Sequence, residues 1–186
     1  MADYDIPLKP YGSTAGRAHL SDRPRPKTPT VDFHIHLLVE EVESFVKPHL
    51  PEEPFVALRM ADPVSRAQSD KHHAERAPML SDIPTRLADM DKMQLDVAAL
   101  SCAPRQFYYN LEPSLGHESS QMVNDGLAAK MKEAPGRHIG LGTVPLQDTD
   151  LAIRELKRCI NELGFGGLQI GARIKEDEEL SSPRLD

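Results

Sequence analysis

Cysteine is scarce in this sequence: Cys102 and Cys159 stand alone among 186 residues, and two thiols make no disulfide framework of the kind that staples small secreted domains. A reducing, cytoplasmic setting is the expectation. Basic residues are outnumbered, with 22 Lys and Arg against 29 Asp and Glu for a formal charge of -7. That is the wrong sign for a surface that binds phosphate backbones or anionic lipid. Nucleic acid and membrane surfaces are therefore not expected partners. Long apolar runs are missing too. None approaches the roughly 20 residues of a bilayer span, and the start Met1-Ala2-Asp3-Tyr4-Asp5 lacks a basic stretch leading into an apolar one.

Apolar residues make up 39% of the chain, a low share for a fully packed protein. The deficit is concentrated at the start. Residues 1–30 carry Pro7, Pro10, Pro24, Pro26 and Pro29 among small and charged residues, and read as a disordered Pro-rich leader. A single domain is expected over 31–186. Its elements alternate. Val31 to Leu38 reads as a strand, and Glu40 to Val46 as a short helical turn. Residues 59–80 look polar and irregular, an excursion from the sheet. Ser81-Asp82-Ile83-Pro84 starts a helix with Leu87, Met90 and Met93 at helical spacing. Val97 to Ala103 is a strand of the kind buried on both faces. A helix follows over Gln121 to Met131, then a strand at Ile139 to Val144. The next helix is capped by Asp148 or Thr149, with Leu151, Ile153, Leu156, Ile160 and Leu163 on one face. A fourth strand spans Gly167 to Gly171.

Strand and helix in strict alternation signal βαβ units with parallel strands. Two closures fit: an open doubly wound sheet, or the first four units of a (β/α)8 barrel. The glycines at 140, 142, 164, 166, 167 and 171 do not make the phosphate loop that a nucleotide-binding open sheet needs.

In Asp32-Phe33-His34-Ile35-His36, period-two alternation places Asp32, His34 and His36 on one face and Val31, Phe33 and Ile35 on the other. Two imidazoles side by side on a rigid strand read as half of a metal site, because imidazole is the commonest side-chain metal ligand. Two structural histidines are the competing reading. In a barrel, the pair would lie toward the C-terminal end of the first strand, where barrels keep their chemistry.

Four blocks carry a resemblance: Asp32 to His36; Arg86 to Asp91 leading into Asp96 to Ser101; Gly140 to Gln147; and Glu162 to Gly171. Together they resemble the aminocarboxymuconate-semialdehyde decarboxylase group of the amidohydrolase superfamily. The resemblance implies an α/β fold, the N-terminal half of a (β/α)8 barrel, and a divalent metal, usually zinc. It also implies non-oxidative decarboxylation of a small unsaturated or aromatic carboxylic acid. By position, His34 and His36 would be metal ligands, Arg59 would grip a substrate carboxylate with Arg66 in reserve, and Tyr108 or Tyr109 would line the pocket mouth. The group takes further ligands and an acid/base histidine from after strands 5, 6 and 8, whereas these residues reach just past strand 4, so no catalytic acid or base is assigned. His72, His73, His117 and His138 qualify by residue type alone. Two alternatives stay open: hydrolysis of an amide or lactone by the same type of site, and a catalytically incompetent half-barrel whose open edges favour a homodimer.

Overall fold

The computed structural model describes residues 27–50, 62–175 and 178–185, so most of the Pro-rich leader and the segment holding Arg59 lie outside it. Four strands form one sheet in the order β1-β2-β3-β4, all parallel: β1 (Val31–Leu37), β2 (Val97–Cys102), β3 (His138–Gly142) and β4 (Gly167–Leu168). Strictly sequential order separates the two closures, because a doubly wound sheet reverses its strand order at a switch point. The sheet here is the barrel-like one. It begins where Thr30 and Asp96 clasp each other: the Thr30 N–H donates to Asp96 Oδ2 at 2.8 Å, and the Thr30 carbonyl accepts from the Asp96 N–H at 2.9 Å.

Helices α1 (Glu40–Val46), α2 (Pro63–Ser81), α3 (Ile83–Lys92), α4 (Pro113–Glu133) and α5 (Thr149–Asn161) connect the strands. A short hairpin follows, β5 (Arg173–Lys175) with β6 (Glu178–Glu179). The core gathers Leu37, Val42, Val46, Ile83, Leu100, Val123, Leu127 and Phe165 between sheet and helices. Strand β3 runs close beneath that layer: a Cβ on Gly140 would lie 2.4 Å from Phe165 Cδ1, and one on Gly142 would lie 2.7 Å from Cys159 Sγ.

Two expectations are corrected. The supposed irregular stretch over 59–80 is, from Pro63 on, a helix of 19 residues. Asp62 starts it, its Oδ1 accepting from the Val64 and Ser65 N–H groups at 2.8 and 3.1 Å, with Pro63 in the first turn. Its sides are almost uniformly polar, so no apolar periodicity marks it; capping and the helix propensity of Ala, Gln, Lys, Glu and Arg do. The second correction concerns α5. The face that packs inward is Ala152, Glu155 and Cys159, while Ile153, Leu156 and Ile160 are exposed. Hydrogen bonding explains the inversion. Glu155 is wholly buried and accepts from Asn124 Nδ2 at 2.7 Å and from Arg158, while Asn124 also bonds the Thr143 N–H and C=O. A carboxylate as buried as Glu155 is tolerated only with its partners in place, and Asn124 and Arg158 supply them.

His138, in register with Ala98 on β2, is buried, and neither ring nitrogen has a hydrogen-bond partner among the described residues. Burial, reinforced by the charges of Arg86 and Arg137, pushes its pKa down to about 4. The unfolded chain, with an ordinary histidine pKa near 6.5, takes up the proton first. His138 therefore supports the fold fully above about pH 6.5, and that support is lost as pH falls toward 4. Urea unfolding across this range should show stability falling as the pH drops, with a shallower fall in His138→Leu; identical limbs in both proteins would refute the assignment.

Candidate metal centre

The β1–β2 ladder sets the position of both histidines. Val31 pairs with Val97 and Asp32 with Ala98, but Ile35 pairs with Leu100 and His36 with Ser101, so three residues of β1 advance against two of β2. This bulge breaks the simple alternation. Paired residues of a parallel ladder point the same way, so Asp32 lies with Ala98 and not on the face of the histidines. From there its charge acts on Arg86. Its Oδ1 also accepts from the His34 N–H at 2.9 Å, which supports the irregular backbone. Phe33, expected to pack, is 72% exposed, and Val31 is exposed as well. The two imidazoles nevertheless stay neighbours, with ring centroids 4.7 Å apart in an edge-to-face arrangement.

His36 is the more closely held. Its Nδ1 is 3.0 Å from the Cys102 carbonyl and 3.2 Å from Ser101 Oγ, while Ser101 itself donates to the Ile35 carbonyl at 3.0 Å. A carbonyl only accepts, so Nδ1 carries the hydrogen and the Nε2 lone pair is left for a ligand. Burial, offset in part by that bond, keeps the His36 pKa below the ordinary histidine value. The ring is thus neutral at neutral pH, the form a metal needs. The backbone behind it is fixed by Arg86, whose Nη2 donates to the His36 carbonyl at 2.7 Å and to the Met79 carbonyl at 2.5 Å.

A polar latch that the sequence did not reveal joins the chain after β1 to the chain after β2. Gln106 Nε2 donates to the Val39 carbonyl at 2.8 Å and Gln106 Oε1 accepts from the Val39 N–H at 3.1 Å. Glu43, on α1, accepts from Arg105 Nε at 3.1 Å and from the Tyr108 hydroxyl at 3.0 Å, and Arg105 Nη2 also bonds it. Burial and the Glu43 charge push the Tyr108 pKa up, which keeps the phenol a donor. Tyr108 lines a cleft of about 250 Å³ together with Arg105, Phe107, Tyr109 and Arg173. Only the placement of these residue types could have signalled the latch, and it depends on loops that bring positions 39, 43 and 106 together.

The other expected residues are scattered. Arg59 lies outside the described residues, and Arg66 is exposed on α2. His72 and His73 also lie on α2, where His72 Nε2 is 2.6 Å from Gln68 Nε2. His117 on α4 is 3.9 Å from Glu155, and His138 faces Arg86 and Arg137. Among the described residues no group of three or more His, Cys, Asp or Glu converges as a metal site. By donor chemistry His34 and His36 fit two positions of one; a catalytic zinc ordinarily has three protein ligands.

The chain matches the family model described as Amidohydrolase over residues 31–185. It is 38% identical over 104 residues to a 2-amino-3-carboxymuconate-6-semialdehyde decarboxylase of Dictyostelium discoideum, covering 56% of this chain and 29% of that protein. To a gamma-resorcylate decarboxylase of Polaromonas sp. it is 34% identical over 115 residues, covering 61% and 35%. Among solved structures it resembles a 5-carboxyvanillate decarboxylase of Novosphingobium aromaticivorans, complexed with manganese and 4-hydroxy-3-methoxy-5-nitrobenzoic acid. That likeness has a TM-score of 0.66 at 24% identity and covers 86% of this chain and 46% of the other. The chain thus spans less than half the length of these relatives, and its four parallel strands correspond to a half-barrel.

Nitrogen-detected NMR of His36 should show hydrogen on Nδ1 and none on Nε2, with protonation below pH 6.5; the opposite tautomer would show that the Cys102 carbonyl does not orient the ring.

Proposed function

The chain belongs to the amidohydrolase family, and from that premise we propose that it carries the first metal ligands of a metal-dependent, non-oxidative decarboxylase acting on an unsaturated or aromatic carboxylic acid. One observation carries this reading: the His34 and His36 rings lie 4.7 Å apart on β1, and His36 is held through Nδ1 so that Nε2 is left to bind. His34 and His36 would hold the ion. Imidazole donors suit zinc, the metal favoured in this proposal, and also admit the manganese bound in the solved relative.

When bound, a divalent ion supplies Lewis acidity at a substrate oxygen. The chain's own residues do the rest that this segment can supply. Ser101 and the Cys102 carbonyl hold the His36 tautomer, and Arg86 fixes the strand beneath it. Arg59 is the proposed grip on the departing carboxylate, where a guanidinium offers two parallel N–H donors. Tyr108 belongs to the wall of the substrate cleft, its hydroxyl committed to Glu43. Amide or lactone hydrolysis is the second reading of such a metal site, and the similarity to decarboxylases favours carbon dioxide release over it.

A cytoplasmic setting belongs to the same proposal, since both cysteines are free and buried. Among the described residues no helix is long and apolar enough to cross a membrane. A homodimer belongs to it too: Phe33, Ile153, Leu156 and Ile160 are exposed apolar side chains that a second copy would cover. Sizing chromatography at twice the chain mass supports pairing, and a monomer removes it.

Purified chain should bind zinc or manganese measurably in equilibrium dialysis, though weakly, because two imidazoles make an incomplete site. Removing one ligand by His34→Ala or His36→Ala should weaken retention by about 10-fold or more, with circular dichroism unchanged. Carbon dioxide release from gamma-resorcylate then tests the activity: metal retention without carbon dioxide leaves a metal-binding half-barrel, and undiminished retention in both variants removes the metal assignment itself.

A further inference from the structure

β1 is the outer strand of the sheet, so one row of its main-chain groups has no strand to bond with and must find other partners. The Ile35 and Leu37 carbonyls face β2, where they accept from Ser101 Oγ at 3.0 Å and from the Ala103 N–H at 2.9 Å. Successive carbonyls of a strand point to opposite edges, so the His36 carbonyl and the Leu38 N–H face the open side. The corner between α2 and α3 stands there in place of a strand. The Leu80 carbonyl accepts from the Leu38 N–H at 2.8 Å, and Arg86 Nη2 donates to the His36 carbonyl at 2.7 Å.

The same Arg86 nitrogen donates to the Met79 carbonyl at 2.5 Å. Met79 lies in the last turn of α2, where carbonyls have no partner inside the helix and a cation meets the negative end of the helix dipole. Arg86 is buried, and the charges of Asp32 and Asp89 support its cationic form. By contrast, no described side chain of α2 is buried; Pro63 to Gln68 are exposed, while Ala77, Met79, Leu80 and Ser81 are half-buried. The helix therefore meets the rest of the molecule chiefly at the end that Arg86 holds.

We infer that Arg86 is a positioning residue that ties the docking of α2 to the direction of the His36 ring, because one guanidinium nitrogen holds both the last turn of the helix and the carbonyl of His36. Holding that carbonyl fixes ψ at His36, and with it the course of Cβ and the bond from Nδ1 to the Cys102 carbonyl. Zinc on His36 then favours the docked helix, and the docked helix favours zinc by the same factor. The inference rests on the metal reading for what His36 binds; the coupling of α2 to the ring does not need it.

The test begins with amide hydrogen exchange of the full chain with and without zinc. Zinc should slow exchange severalfold at Met79 to Asp82 as well as along β1, and slowing confined to β1 would overturn the coupling. Arg86→Met should weaken zinc binding about tenfold and abolish the response of α2, and Arg86→Lys, which keeps a charge and a donor, should restore part of both. Arg137, which also donates to main-chain carbonyls, those of Asp96 and Leu95 at 2.9 and 3.1 Å, but at the start of β3, is the comparison. Arg137→Gln should lower stability and leave zinc affinity unchanged. If Arg86→Met unfolds by circular dichroism, Arg86→Lys and the wild-type exchange decide. Absence of zinc binding in the wild type sinks the metal reading, and nitrogen NMR of His36 without metal then tests the coupling: hydrogen on Nδ1 in the wild type and in Arg137→Gln, a mixture of tautomers in Arg86→Lys. A folded Arg86 variant with an unchanged tautomer and unchanged zinc affinity, or equal losses in Arg137→Gln, would overturn the inference.

Discussion

The parallel pairing of β1 with β2 is the constraint from which the rest of the molecule takes its geometry. Register on this ladder puts His36 opposite Ser101 and brings the Cys102 carbonyl to Nδ1 of the imidazole. A shift of one residue would turn the ring to the helix side, because side chains reverse face at every step along a strand. The bulge between Asp32 and Ile35 does shift the register, and its effect is selective: it moves Asp32 to the side of Ala98 while His34 and His36 remain within 4.7 Å of each other. One irregularity thus removes a carboxylate from the immediate surroundings of two imidazoles and gives it to Arg86.

That ladder is in turn held from both ends. At its start Thr30 and Asp96 clasp each other; at its finish Arg86 binds the His36 carbonyl, and the Leu38 N–H donates to the Leu80 carbonyl at 2.8 Å. The Gln106 bonds to Val39, with Glu43 gathering Arg105 and Tyr108, then lock the two chain segments that leave the sheet. Removing one member of such a network strands its partners in a partly desolvated place. The cost of an unmet buried polar group, about 1–3 kcal/mol, exceeds the net worth of a typical bond. Rigidity at the histidine end therefore comes from polar contacts, whereas the apolar core lies on the helix side of the sheet.

What could be read from the residues divides along physical lines. The four strands and the sequential βαβ order were legible because period-two and period-3.6 patterns, with Asp and Pro at helix starts, are local signals, whereas those patterns left an open sheet and a half-barrel both possible and only the family resemblance implied the latter. Helix α2 was not, since its polar sides carry no periodicity and its cap at Asp62 is a single residue. The inward face of α5 was misread because hydrophobicity alone favours Leu156 and Ile160, and only the fold shows that Asn124 waits opposite Glu155. Of the candidate site, the histidine pair was visible as spacing. The bond that sets the tautomer was not, because a backbone carbonyl belongs to every residue type and only register selects Cys102.

Charge distribution links the pieces. Although the chain carries a formal charge of -7, its acids and bases meet in close pairs, Arg105 with Glu43, Arg158 with Glu155 and Asp125, and Arg173 with Glu179. Over distances longer than the Debye length, about 8 Å at physiological ionic strength, the net charge is screened and the nearest groups decide.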